Sequence, residues 1–111
     1  MLIAERTLSL RTKHGLAKIP VCLFAPENKP DGSWACRYAI DWPEGRWVME
    51  AGGVDAVQAI MIALQMIGSE LYTSGYHKAG QLFFESPGKG YGFPVPAPLR
   101  PLLEGDDKRL L

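Results

Sequence analysis

The sequence has no excess of charge of either sign, and this limits the partners that it can attract by electrostatics. Its 111 residues include 12 basic and 12 acidic side chains, which gives a formal net charge of zero. Proteins that bind nucleic acid usually carry a basic surface that neutralises phosphates. Anionic membranes attract the same kind of surface. We therefore expect neither nucleic acid nor a membrane as the partner of this chain.

The chain also lacks a long uninterrupted apolar run. Its most apolar stretch, residues 59–64, ends at Gln65, and Glu70 follows soon after. A membrane-spanning helix needs about 20 apolar residues in succession, so no span is predicted. Residues 1–10 alternate in polarity and carry Glu5 and Arg6, unlike the apolar core of a signal peptide. A cytoplasmic location is therefore expected.

Potential metal ligands are scarce. The chain has two cysteines and two histidines, without the CxxC or HxxxH spacing that is typical of metal sites. We predict no metal and no cofactor. Cys22 and Cys36 are expected on opposite faces of the sheet described below, and so we predict that both are unpaired structural thiols.

What the sequence does contain is a well-marked helix within residues 52–75. Asp55 is suited to the N-cap, with Gln58 three places later to complete a capping box, and Gly75 can adopt the left-handed conformation that ends a helix. Apolar residues surround most of the helix, as expected for one that is buried on more than one side. The predicted buried stripe consists of Val57, Ile60, Met61, Leu64, Ile67, Gly68 and Leu71. A second element or a second chain is needed to cover the flanking residues Ile62, Ala63 and Met66.

Four strands of alternating polarity precede the helix. They are predicted at residues 4–11, 16–25, 34–42 and 46–51. A turn at His14 places Leu10 opposite Ala17, and the next connection places Leu23 opposite Cys36. In both pairings the apolar faces coincide, as a correct register requires.

The register of the fourth strand has two solutions. A three-residue loop ending at Gly45 places Val48 on the core face, whereas a four-residue loop places Trp47, Met49 and Ala51 there. We favour the second solution because it leaves Glu50 facing water.

A short strand is predicted at residues 81–85, followed by an arm rich in glycine and proline. The arm carries apolar side chains that could pack against the second side of the helix. Residues 1–103 are predicted to form a single domain and residues 104–111 a frayed charged tail. The predicted fold is α+β, with a four- to five-stranded antiparallel meander packed on one long central helix and an extended Gly/Pro-rich C-terminal arm.

The histidines have simple structural interpretations. His14 lies at the tip of the first hairpin, where exposure is expected. His77 follows the end of the helix, close in sequence to Tyr72, Tyr76 and Lys78, but the sequence places no nucleophile or carboxylate beside it. No catalytic residue is predicted.

Residues 88–93, with the sequence GKGYGF, have the composition of a phosphate-binding loop without its spacing. Such a loop requires a Lys followed by Ser or Thr at the start of a helix, whereas here the loop ends in Phe93 and Pro94. A glycine-rich turn beside a packed aromatic residue is the preferred interpretation. Three carboxylates near the last hairpin, Asp41, Glu44 and Glu50, are predicted to be solvated.

The tryptophans could stack on nucleic-acid bases with help from Arg37 and Arg46. Most of the aromatic residues lie on the face that the helix should cover, and so we interpret them as core residues. The three tryptophans are Trp34, Trp42 and Trp47.

Two segments carry a resemblance to known proteins. The helix sequence DAVQAIxxALQxIG at residues 55–68, together with SPGxGYGFPVP at residues 86–96, resembles a small bacterial family of unknown function. The strand meander followed by an Asp-capped helix is also similar to that of some bacterial immunity-type proteins. These motifs serve capping and packing, so the resemblance implies a fold and no catalytic residues.

We therefore predict a non-enzymatic cytoplasmic interaction protein, regulatory or of the immunity type, that acts on a protein partner or on itself as a homodimer. The alternative is a small enzyme or ligand-binding domain for a small molecule. Its pocket would lie near His77, Tyr91 and Tyr76, between the end of the helix and the arm.

Overall fold

Six strands form one antiparallel sheet, which with its helices gives an α+β fold. The computed structural model describes residues 1–111. The strands are β1 (Leu2–Thr12), β2 (Gly15–Phe24), β3 (Glu27–Asn28), β4 (Trp34–Trp42), β5 (Gly45–Gly53) and β6 (Leu82–Phe83). The helices are α1 (Ala56–Tyr72), α2 (Gly75–Lys78), a 3-10 helix (Ala97–Leu102) and α3 (Gly105–Leu110). The order across the sheet is β3-β4-β2-β1-β6, and β5 pairs with β4.

The β1–β2 hairpin has the predicted register, with Leu10 opposite Ala17 and Leu8 opposite Ile19. Its tight turn is closed by Gly15, whose φ of 115° is readily adopted only by glycine. The alternation of side chains then places Leu8, Leu10 and Ile19 in the core.

The predicted register between β2 and β4 is wrong by two residues. Leu23 lies opposite Tyr38 and not opposite Cys36. The cause is β3, which pairs its Asn28 with Trp34 and so uses the first residues of β4 for a small ladder of its own. A shift of two residues keeps every side chain on its predicted face, because the side-chain period of a strand is two.

The loop between β4 and β5 is shorter than either predicted loop. Trp42 pairs directly with Gly45, so only Pro43 and Glu44 form the turn. The favoured face is nevertheless correct. Residues Trp47, Met49 and Ala51 lie opposite the core residues Ile40, Tyr38 and Cys36.

Both cysteines are unpaired and buried, as predicted. Cys36 lies in the core. Cys22 lies on the opposite face, where the guanidinium of Arg46 comes within 3.8 Å of its sulfur.

Helix α1 begins as predicted and ends earlier than predicted. The Asp55 carboxylate accepts a hydrogen bond from the Gln58 N–H at 2.8 Å, and the Gln58 amide oxygen accepts one from the Val54 N–H at 2.7 Å. The helix ends at Tyr72 because Ser74 caps a second helix, in which Gly75 is the first residue and not a C-cap. No helix of the structure combines the length and the apolar content needed to cross a membrane.

The buried side of α1 is rotated from the predicted stripe. The helix packs on β4 and β5, and its buried residues are Ala59, Ala63, Ile67, Gly68, Leu71 and Tyr72. Val57 and Met61, both predicted to be buried, are 64 % and 58 % exposed. Small alanine side chains face the sheet because they allow the helix to approach it closely. Hydropathy alone does not show that alanines take this side in place of the larger Val57 and Met61.

The chain after β6 covers a second side of α1. A Cβ atom on Gly68 would lie 1.9 Å from the carbonyl oxygen of Pro94, so the helix and the arm touch through backbone atoms. Phe93 and Val95, on either side of Pro94, are buried in the main core. The flanking residues Ile62 and Met66 are half-buried against the same core.

Residues 104–111 are not a frayed tail. Helix α3 occupies Gly105–Leu110, and its Asp107 is only 2 % exposed. The high charge of this segment suggested solvation, but one of its carboxylates is an internal hydrogen-bond acceptor. The ordered structure therefore extends beyond residue 103.

Candidate functional site

His77 and Tyr91, between which the sequence-based alternative places a pocket, are in direct contact. The Ser74 hydroxyl caps α2 by accepting a hydrogen bond from the His77 N–H at 3.1 Å, which fixes the position of the imidazole. Nδ1 of His77 is hydrogen-bonded to the hydroxyl of Tyr91. The ring of Tyr72 makes edge contacts with both residues, at centroid distances of 4.9 Å.

Asp107 lies at the centre of this cluster and was not identified from the sequence. Its carboxylate accepts the hydroxyl of Tyr72 at 2.5 Å and the backbone N–H groups of Tyr91 and Gly92 at 2.8 and 2.9 Å. Three donors therefore satisfy one buried carboxylate. This arrangement is the usual condition for burying a charged side chain.

The glycine-rich loop at residues 88–92 does bind an anion, and the anion is Asp107 of the same chain. Gly88, Gly90 and Gly92 have φ values of 77°, 90° and 79°, so the loop exposes consecutive backbone N–H groups. A Cβ atom on Gly90 would lie 2.4 Å from the carboxyl carbon of Asp107. The loop thus has the shape of an anion cradle, and its own chain fills it.

The tyrosines of the cluster act as neutral hydrogen-bond donors. Burial, reinforced by the Asp107 carboxylate, raises the pKa of Tyr72 well above its ordinary value of 10. Burial likewise raises the pKa of Tyr91. Neither phenol therefore ionises near neutral pH, and the cluster supplies no phenolate nucleophile.

The cluster has no adjoining cavity that His77 or Tyr91 lines. Four surface cavities are present, and neither residue contributes to any of them. One cavity, of about 330 Å³, does include a residue of the cluster. It is lined by Asp107 together with Arg6 and Lys89. The side chains of His77 and Tyr91 contact each other and leave no space between them for a ligand. Ligand binding by His77, Tyr91 and Tyr76 stays a prediction.

Tyr76 lies at a different place from the other two predicted residues. Its ring stacks on Trp42 at a centroid distance of 5.2 Å, and its hydroxyl donates a hydrogen bond of 2.6 Å to Glu44. The three residues border a cleft of about 290 Å³ between the β4–β5 turn and the C-terminal end of α1. Trp47 and Glu70 complete its aromatic and acidic lining.

A third surface feature is the free edge of β5. The strand pairs with β4 along all nine of its residues and with no strand on its other side. Its consecutive side chains Trp47, Val48 and Met49 are 43 %, 47 % and 39 % exposed. Exposed apolar residues on an unpaired edge are uncommon in monomeric proteins, which usually protect such edges with charge, proline or a covering element.

Metal-ligating side chains are dispersed over the molecule. No group of three or more His, Cys, Asp or Glu side chains is arranged to hold a metal ion. Burial raises the pKa of both cysteine thiols, which favours their protonated form.

The fold and these sites define a small α+β protein with an internally satisfied polar cluster, an acidic aromatic cleft and an open sheet edge. The chain belongs to the family described as a domain of unknown function, DUF6968, whose model matches residues 4–95. The match extends from β1 to Val95 in the arm, and Asp107 lies beyond it. No curated protein and no solved structure matches the chain.

Sequence reasoning missed the two residues that organise the cluster. The sequence places Tyr72 near the end of the helix without indicating a partner for it, and it predicts that Asp107 lies in a frayed tail. The only available signal was the GKGYGF segment, whose glycines indicate exposed N–H groups in need of an acceptor. Nothing local indicated which of the 12 acidic residues would supply it.

Proposed function

We propose that this chain is a non-enzymatic interaction protein that forms a homodimer through the edge of β5. The observation that carries the proposal is the free edge itself. A row of unpaired backbone N–H and C=O groups can add a strand from another chain, and the bonds formed continue the existing ladder.

The side chains of β5 are complementary to themselves. If two copies of β5 pair antiparallel about a two-fold axis at Val48, Arg46 of one chain lies opposite the partner's Glu50. Trp47 then lies opposite the partner's Met49 on the other face, a favourable aromatic–thioether contact. Each contact occurs twice because the interface is symmetric.

The charges on the outer face fit the same arrangement. Within one chain Arg46 is paired with Asp41 at 2.7 Å, and Glu50 with Lys29 at 3.4 Å. Joining the two strands would create a row of alternating sign, in which Arg46 bridges Asp41 and the partner's Glu50. Such alternation favours the antiparallel register and disfavours a slipped one.

Exposed apolar residues just before and within the first turns of α1 form a second uncovered patch. Val54, Val57 and Met61 are exposed and border one shallow cavity. They follow directly after β5 in the chain. A partner seated on the edge of β5 would cover apolar residues of both elements, which neither the sheet nor the arm covers.

Light scattering coupled to size exclusion tests the proposal. We expect a particle of twice the 12.2 kDa chain mass at micromolar concentration. Each of the variants Arg46→Glu and Glu50→Arg should weaken dimerisation by about tenfold or more, because like charges then face each other. The double variant should recover part of the affinity, because it restores opposite charges between the chains while it places like charges beside Asp41 and Lys29 within each chain.

A monomeric wild type at high micromolar concentration would refute the homodimer. A double variant no better than either single variant would refute the antiparallel register. Asp106→Asn, which changes an exposed carboxylate remote from β5, serves as the control.

The likeness to immunity-type proteins supports a second candidate, in which a different protein occupies the same edge. That candidate predicts a toxin gene beside the gene for this chain. An isolated gene, together with a stable homodimer, would favour self-association.

A further inference from the structure

The cleft beside the β4–β5 turn has aromatic walls fixed by the fold. The near-parallel stack of Trp42 and Tyr76, with an interplanar angle of 23°, joins the turn to α2. Trp47, two residues beyond Gly45, forms part of the same lining. One hydrogen bond from Tyr76 holds Glu44 at the rim. The stack between Trp42 in β4 and Tyr76 in α2 thus fixes two of the three rings relative to each other, although they are far apart in sequence.

The charge of the cleft is entirely negative. Two of its eight lining residues, Glu44 and Glu70, are acidic, and none is basic. Glu70 takes part in none of the three ion pairs of the molecule. Burial raises the pKa of its carboxyl, and no cation or hydrogen-bond donor opposes that rise. The half-buried Glu70 therefore lacks the counter-charge that such a group normally has.

A buried hydroxyl without a partner lies against the same residues. Tyr38 is fully buried, and its hydroxyl is the one buried side-chain polar atom in the structure without a hydrogen bond. Burial raises the pKa of this hydroxyl, and the two neighbours that also act on that pKa line the cleft: the indole of Trp47 lowers it and the charge of Glu70 raises it. Unsatisfied buried polar groups are rare in native proteins, so each one requires a physical explanation.

The hydroxyl groups elsewhere in the lining are already used within the chain. Thr73 donates to the carbonyl of Ser69, and Ser74 donates to the carbonyl of Leu71 while capping α2. The groups left to bind a ligand are therefore the ring of Trp47, the ring faces that Trp42 and Tyr76 do not use for their mutual stack, and the carboxylate oxygens that accept no hydrogen bond within the chain. This combination attracts organic cations, for which aromatic faces provide cation–π contacts and carboxylates provide counter-charge.

We propose that the cleft formed by Trp42, Trp47, Tyr76, Glu44 and Glu70 is a binding site for a methylated ammonium group. Methyl groups make the cation soft and weakly hydrated, so it loses little on leaving water and gains contact with the rings. The cleft volume of about 290 Å³ accommodates a trimethylammonium head with part of its chain. All residues that line the cleft belong to one chain, and one of them, Trp47, also lies opposite the partner's Met49 in the proposed homodimer.

Choline and its neutral isostere 3,3-dimethylbutan-1-ol are the probes, and indole N–H resonances are the readout. The protein has three tryptophans. Trp42 and Trp47 line the cleft, and Trp34 at the other end of β4 serves as an internal reference. We expect choline to shift the Trp42 and Trp47 resonances in a saturable manner in the millimolar range, as befits a ligand of few atoms. The neutral isostere should not.

The source of the ammonium group is distinguished by a second titration with a short peptide that contains trimethyl-lysine. Tighter binding of the peptide than of choline would indicate a modified protein side chain, and the reverse would indicate a free small molecule. Either result supports the site, whereas saturable binding of neither probe overturns it.

Conservative variants test the chemistry of the site. Glu70→Gln keeps the shape of the side chain and should weaken choline binding about fivefold, the effect of one partly screened charge contact. Glu27→Gln, an exposed carboxylate on β3, should leave binding unchanged. Equal shifts of all three indoles, equal binding of the neutral isostere, or unchanged affinity in Glu70→Gln would overturn the proposal. The Arg46→Glu variant, in which dimerisation is weakened, should still bind choline saturably, because every lining residue belongs to one chain.

Discussion

Asp107 shows how one residue can determine the structure of a whole segment. Its carboxylate is the acceptor for the backbone of the glycine-rich loop and for a tyrosine of the longest helix. Without it, two backbone N–H groups and one hydroxyl would be left buried and unpaired. The cost of such groups exceeds the net gain of an ordinary hydrogen bond.

We predict that Asp107→Asn lowers the free energy of unfolding by about 1–3 kcal/mol, because an amide replaces one acceptor oxygen by a donor facing other donors. Urea denaturation measures the change. Asp106→Asn is the matched control, since the Asp106 carboxylate is next to Asp107 in sequence but is exposed and makes only a surface ion pair with Arg109. It should change stability by less than about 0.5 kcal/mol. Equal effects of the two variants would contradict the central role of Asp107.

Glu70 provides a prediction about pH. Because its folded-state pKa is raised above the ordinary value of 4.5, the native state holds the proton more tightly than the unfolded state. The contribution of Glu70 to the free energy of unfolding is therefore greatest below pH 4.5 and falls as the pH rises through the raised pKa of its carboxyl. Glu70→Gln should be more stable than wild type at pH 7, and the difference should vanish below about pH 4.

Thermal unfolding across this pH range measures the effect. Glu27→Gln, in which an exposed carboxylate is replaced, should parallel the wild type at every pH. A Glu70→Gln protein that gains no stability at neutral pH would show that the Glu70 carboxylate is well solvated.

At the scale of elements, the contact between α1 and the arm is a backbone contact that depends on one glycine. We predict that Gly68→Ala lowers the free energy of unfolding by about 1–3 kcal/mol, because a methyl group in this contact must push the two elements apart. Gly75→Ala, where an added methyl meets no atom within 4 Å, should be nearly neutral. Chemical denaturation of both variants makes the comparison, and similar losses for the two would contradict the close contact.

The sequence predicts elements well where the deciding interactions are local. The β1–β2 register follows from a two-residue turn and alternating polarity, and the start of α1 follows from Asp55 and Gln58. The β2–β4 register was missed because β3, a strand of only two residues, pairs with the first residues of β4 and displaces β2 along that strand. The buried side of α1 was missed because close packing selected Ala59 and Ala63 over the larger Val57 and Met61.

The candidate sites depend on contacts between distant residues, and sequence reasoning found them only in part. The sequence groups His77 with Tyr91 around a predicted pocket, whereas in the structure the two side chains contact each other. Tyr76 was grouped with them because it is adjacent in sequence, yet successive residues of a helical turn point in different directions. Tyr76 therefore joined Trp42 and Glu44, which are more than 30 positions away.

At the scale of the whole molecule, the first strand is joined to the glycine-rich loop in the last quarter of the chain. The guanidinium of Arg6 in β1 donates a hydrogen bond to the carbonyl of Tyr91 at 3.0 Å, across 85 positions of sequence. It also lies over the ring of Phe84 at 4.5 Å. Strands β1–β5 and α1 therefore form one part of the molecule, and the chain that follows β6 closes over it.

This closure has a consequence for the order of folding. Contacts across long stretches of chain carry a larger loop-closure entropy than hairpin contacts, and they form more slowly. During refolding, the amides of Tyr91 and Gly92 should gain protection from hydrogen exchange after those of the β1–β2 hairpin. Pulsed exchange with mass spectrometry resolves the two events, and simultaneous protection would contradict this order. Until the last segment docks, the groove beside Gly68 stays open, and the partly folded chain exposes apolar surface that the native state conceals.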